Sequence, residues 1–131
     1  IIDFHVSLIS EKIIDKKGIV FAIKEGINKS LKKISVSKNS QIFLDGSLCA
    51  PKEFKYQKTI IKGDEKIPVI SVASIMAKVT RDNYMERISK KYPNYGFDRH
   101  KGYGTKAHYK AIKKHGISKI HRKSFLKNRN Y

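Results

Sequence analysis

The chain has 131 residues, with 29 Lys and Arg against 11 Asp and Glu, for a formal charge of +18. A hydrophobic content of 40% supplies a core and argues against wholesale disorder. No apolar run approaches the roughly 20 residues of a membrane-spanning helix, and no signal-peptide pattern opens the chain. Cys49 has no second cysteine to pair with, which excludes an internal disulfide or a cysteine-based metal site and fits a cytoplasmic protein. The positive charge points to a polyanionic partner, nucleic acid first. The start at Ile1-Ile2-Asp3-Phe4, without Met, leads us to expect a missing beginning.

Ile2, Phe4, Val6 and Leu8 alternate with other residues, which predicts a strand of about eight residues. A helix is expected next, with Ser10 as N-cap and Val20, Ile23, Ile27, Leu31 and Ile34 recurring at helical spacing. Gln41 to Asp45 is short, apolar and closed by Gly46, so it reads as a buried strand with a carboxylate at its end. Tyr56 to Lys62 is a second short strand. From Ser71 to about Lys90 the pattern is helical, with Val72, Ile75, Met76 and Val79 as the apolar stripe. Thr105 to His115 is a further helix, capped by Thr105 and stopped by Gly116. Strands alternating with helices imply an α/β fold, and the lack of repeats or a linker implies one domain.

Asp98 is the last acid, and the 33 residues after it carry 11 of the Lys and Arg residues. These are interleaved with Tyr103, Tyr109, Phe125 and Tyr131, a mixture able to touch phosphates and stack on sugars or bases. A solvated lysine-rich face is the plainer alternative. Two carboxylates stand out. Asp45 follows three apolar residues on an expected interior strand, where an ionised carboxylate needs a cation or hydrogen bonds, although Asp45-Gly46 is also a common turn dipeptide. Asp82 shares a helix face with Ser71, Ser74 and Lys78, a stripe able to abut a phosphate and a metal; an exposed Lys78/Asp82 pair is the simpler reading. Convergent carboxylates suit Mg2+ or Mn2+. His5, His100, His108, His115 and His121 show no close metal-ligand spacing, and His108 and His115 read as a helix face.

The stretch Ser71-Val72-Ala73-Ser74-Ile75-Met76-Ala77-Lys78-Val79-Thr80-Arg81-Asp82, the turn His100-Lys101-Gly102-Tyr103-Gly104-Thr105-Lys106 and the ending Ile120-His121-Arg122-Lys123-Ser124-Phe125 together resemble bacterial ribonuclease HII. Leu44-Asp45-Gly46 sits where that family has a strand-ending Asp-Gly. The resemblance implies a ribonuclease H-like fold, a central mixed sheet flanked by helices with a helical C-terminal extension. It also implies metal-dependent cleavage of RNA in RNA–DNA hybrids and at single ribonucleotides in duplex DNA, giving 5′-phosphate and 3′-hydroxyl ends. Asp45 and Asp82 match catalytic, metal-binding carboxylates. Gly102, Tyr103, His121, Arg122 and Ser124 match positions near the nucleic acid, and Lys78 and Arg81 suit phosphate contacts on physical grounds. The family's opening Asp-Glu-Ala-Gly-Arg-Gly strand, which supplies two further carboxylates, is absent here. The chain is therefore expected to be a monomeric, partial catalytic domain with residues 99–131 as its basic extension. By itself it should be inactive. A noncatalytic, ribosomal-type RNA-binding protein is the alternative that size and basicity suggest.

Overall fold

The computed structural model describes residues 3–126. Among these, six α-helices accompany one small parallel sheet of two strands. The chain divides into two compact units, Ile1–Ala77 and Lys78–Tyr131.

In the first unit, α1 (Glu11–Lys17) and α2 (Ile19–Lys33) replace the long helix expected after Ser10. Gly18 separates them. Its φ of 83° and ψ of 164° lie in a region essentially confined to glycine, and its N–H ends α1 by donating to the Ile14 carbonyl at 2.8 Å. The strand expected over residues 2–8 does not form: Ile2 lies outside the described residues, and Phe4 to Leu8 carry no ladder. Alternation specifies a face, whereas a strand needs a neighbour to take its N–H and C=O groups. Phe4 and Leu8 remain exposed.

Strands β1 (Ile42–Asp45) and β2 (Gln57–Ile60) pair in parallel, Ile42 against Gln57 and Asp45 against Ile60. Parallel neighbours need a crossover, usually a helix, yet here an irregular segment serves. Part of its backbone is held by β2 side chains. Gln57 Oε1 accepts from the Ala50 N–H at 2.9 Å, its Nε2 donates to the Phe54 carbonyl at 3.0 Å, and Thr59 Oγ1 donates to the Leu48 carbonyl at 3.0 Å. Leu44, Ala50 and Phe54 form a small core against which Ile27 and Leu31 of α2 pack.

After β2 come α3 (Gly63–Lys66) and α4 (Pro68–Lys91). The long helix starts three residues before the expected Ser71. Proline is well suited to a first helical position, and Ile67 is extended, as a residue before proline prefers. The expected apolar stripe faces outward: Val72, Ile75 and Val79 are exposed, and Met76 is half-buried.

The second unit is built on Met85, Tyr95, Phe97 and Ile112, flanked by Ile88, Tyr92, Tyr109, Ala111, Ile120 and Leu126. Tyr95 stacks on Phe97 at 5.5 Å, and its hydroxyl donates to the Gly116 carbonyl at 2.9 Å. Phe97 opens the short α5 (Phe97–His100), which α6 (Lys106–His115) follows in the chain. Thr105 caps α6 as expected, its Oγ1 accepting from the His108 N–H at 3.2 Å. Among the described residues no helix is long and apolar enough to cross a membrane.

Candidate functional site

Asp45 occupies the last position of β1, and the end of the strand leaves it exposed rather than interior. The expectation of an interior carboxylate is corrected in its burial, while a hydrogen bond, one of the two partners expected for it, is present. One oxygen is held in place: Oδ1 accepts from the Gly63 N–H at 2.8 Å. A Cβ at position 63 would lie 2.6 Å from the flexible tip of Ile70, at Cδ1, and at contact distance, 3.4 Å, from Asp45 Oδ1. Gly63 was not singled out in the sequence, where Lys62-Gly63-Asp64 reads only as a turn.

In the second unit, Asp82 is half-buried on α4, with the largely exposed Lys78 one turn earlier and its Nζ 3.8 Å from Asp82 Oδ2. Arg81 turns toward the 101–105 loop. Its Nη1 donates to the Lys101 carbonyl at 2.8 Å, and its guanidinium sits over the Tyr103 ring at 4.9 Å. Gly102, with φ of 79°, lies against Met85 and Arg81, where a Cβ would stand 3.3 Å from Met85 Cε. Lys101 also adopts a left-handed conformation, with φ of 49°. It reaches back so that Nζ contacts Glu86 Oε1 and the Asp98 carbonyl, both at 2.6 Å. Tyr103 is thus exposed on a turn whose backbone is tied down from two sides. Arg122 precedes a short 3-10 turn, Lys123–Phe125, and lies over the Phe125 ring at 4.1 Å, with Ser124 exposed beside it.

His121 sits apart from these surface groups. It is buried with His108, and their Nε2 atoms are 3.0 Å apart. His100 stacks on His108 at 4.4 Å, and Phe97 borders all three rings. Burial holds His121 down to about 4, with the neighbouring His108 adding to the effect against a Ser118 hydrogen bond. His108 is lowered too, chiefly by burial. His108 and His115 both lie on α6, two turns apart as the helix-face reading has them, with His108 buried and His115 exposed at its end, its ring edge-on to Tyr95. Chain spacing cannot reveal a cluster assembled from three elements.

Arg81, Gly102 and Tyr103 therefore come together, as do Lys78 and Asp82, while Asp45 belongs to the first unit with Gly63. Among the described residues no three His, Cys, Asp or Glu side chains group as a metal site. Tyr131, named above among the stacking aromatics, lies outside the described residues.

A family profile described as Ribonuclease HII matches residues 1–128. Among curated proteins, the chain is 46% identical over 124 residues to "Ribonuclease HII" of Prochlorococcus marinus strain MIT 9312, covering 95% of the chain and 60% of that protein. It is 46% identical over 117 residues to the protein of the same name from Pelagibacter ubique, covering 88% and 62%. With the Clostridioides difficile protein of that name the identity is 42% over 127 residues, covering 97% and 49%. The chain spans about three fifths of the length of the first two of these relatives and about half of the third.

Proposed function

Because the chain belongs to the ribonuclease HII family, we propose that it is part of a monomeric, cytoplasmic, divalent-metal-dependent endonuclease. The substrates are the RNA strand of RNA–DNA hybrids and single ribonucleotides in duplex DNA, and the products carry 5′-phosphate and 3′-hydroxyl ends. The observation that carries this reading is the family match over residues 1–128, which takes in Asp45, Asp82 and the 101–105 turn together.

Asp45 and Asp82 are the residues that would hold Mg2+ or Mn2+, since carboxylate oxygens are the hard donors these ions take. When bound, such ions make water a better nucleophile and neutralise charge on the leaving oxygen. The chain's own groups prepare the rest. The Gly63 N–H fixes the Asp45 carboxylate by one oxygen, so the other is presented from a side chain that no longer rotates freely. Lys78 beside Asp82 adds positive potential where a phosphodiester would approach. Tyr103 offers an exposed ring, Arg122 and Ser124 supply cationic and hydroxyl groups for the nucleic-acid backbone, and Gly102, without a side chain, leaves the approach beside Tyr103 open. Arg81 serves this surface through the turn that it holds as well as by its charge.

The missing carboxylates we assign to the part of the family's length that this chain does not span. The exposed Val69, Val72 and Ile75 on α4 support that assignment. Aliphatics at such spacing on one helix are ordinarily covered by a further layer. In a Mg2+-containing cleavage assay, the 131-residue chain should leave a ribonucleotide-containing duplex intact. The same chain extended by upstream coding sequence bearing Asp-Glu-Ala-Gly-Arg-Gly should cleave it. Robust cleavage by the chain alone, or none by the extended form, contradicts the proposal.

A further inference from the structure

The surface contacts proposed above do not explain why three histidines gather beneath the 101–105 turn. Groups with only one possible role fix their protons. The Ser118 N–H can only donate, and it lies 3.0 Å from His121 Nδ1, to which the Ser118 hydroxyl also donates at 2.7 Å. That nitrogen is therefore unprotonated, and the neutral ring carries its proton on Nε2, facing His108 Nε2 at 3.0 Å. His108 Nε2 must accept, which places its proton on Nδ1, 2.9 Å from the Tyr103 carbonyl. A carbonyl can only accept, so every link agrees in direction from Ser118 to Tyr103.

His100 closes the neighbouring position in the same way. The Gly102 N–H donates to its Nδ1 at 3.2 Å, and its Nε2 donates to the Tyr95 carbonyl at 2.7 Å. With Arg81 on the Lys101 carbonyl, three successive residues each have a backbone group held by a side chain, from α4, α5 and α6 in turn. Tyr103 as a residue is 57% exposed. A fixed backbone beneath an exposed aromatic is what presents a stacking surface without ordering cost at binding.

We infer that His108 is a positioning residue that orients Tyr103 toward a base or sugar of the hybrid duplex, with Ser118 and His121 setting its tautomer. This rests on the proposed contact of Tyr103 with nucleic acid. In that arrangement His121 acts from the core and does not touch the duplex.

The test is fluorescence anisotropy of a labelled RNA–DNA hybrid titrated with the 131-residue chain and its variants. His108→Phe keeps the ring volume and loses the donor, and should weaken binding about threefold to tenfold, the worth of one hydrogen bond. His108→Asn, which retains an N–H near the position of Nδ1, should recover most of that loss. In a Tyr103→Ala background, His108→Phe should cost nothing further, because the residue it positions is gone. Equal losses in both backgrounds would mark a merely structural histidine and overturn the inference. Wild-type binding by His108→Phe would overturn it and leave the proposed function standing, while failure of the unmodified chain to bind the hybrid overturns both. Nitrogen NMR of the unmodified chain decides the point even where a variant does not fold. Protons on His108 Nδ1 and His121 Nε2 are expected, and the reverse assignment refutes the positioning chain.

Discussion

Single residues carry most of the chemistry here, and they differ in how far neighbours in the chain foretell them. Asp45 was visible because three apolar residues and a glycine frame it, and the strand ends where that frame predicts. Its Gly63 partner was not visible, since it joins from 18 positions away. The histidine cluster depends wholly on packing between elements, and it has a measurable consequence. His121, lowered to about 4 from its ordinary 6.5 by burial and by His108, stays neutral in the folded chain while an unfolded histidine would be protonated. The unfolded state then binds more protons between those values. Stability is therefore complete above about pH 6.5 and falls as the pH drops toward 4. His121 and its neighbour His108, both lowered, share that loss, which is on the order of a few kcal/mol. The titratable groups against it are His108 and His100, with His115 at the same Tyr95 ring. Urea denaturation across that range should show the decline, and His121→Phe should flatten its acid side. An unchanged slope in that variant would place the acid sensitivity elsewhere.

At the scale of elements, the helices that read most clearly from sequence carry their own stop and start chemistry. Thr105 caps α6 and Gly116 ends it, as the residue types predict. Thr105→Ala should cost about 1 kcal/mol in urea denaturation and Thr105→Ser much less, because a hydroxyl still meets the His108 N–H. Equal effects of the two would deny the cap. The break between α1 and α2 lies between the expected N-cap, Ser10, and the first residue of the expected apolar periodicity, Val20, so neither signal reports it. Gly18 decides it by backbone conformation, a property that an apolar pattern does not register. Gly18→Ala should destabilise the chain by about 1–3 kcal/mol, the cost of forcing a side chain into that region. Unchanged stability would show that the break has another cause. The expected strand near the start failed for the opposite reason: its face was legible, but its hydrogen-bonding partner is not a local property.

For the whole molecule, +18 of charge and an exposed aliphatic face on α4 describe two different needs. The charge suits a nucleic-acid phosphate backbone, whose binding weakens steeply with rising salt because releasing its condensed counterions then gains less. The aliphatic face suits protein, and an environment-sensitive apolar dye should bind the isolated chain there. Ile75→Lys should reduce that signal; an unaffected signal would locate the apolar surface elsewhere. Both needs are met if the chain is the greater part of a ribonuclease HII, with Asp45 and Asp82 contributing to a carboxylate set completed upstream. The most direct measurement is Mg2+-dependent cleavage of a ribonucleotide-containing duplex by the upstream-extended protein carrying Asp45→Asn. Turnover should fall about a thousandfold or more, equivalent to several kcal/mol of transition-state stabilisation, with duplex binding nearly unchanged. Cleavage at the unmodified rate would contradict the place given to Asp45 in the reactive centre.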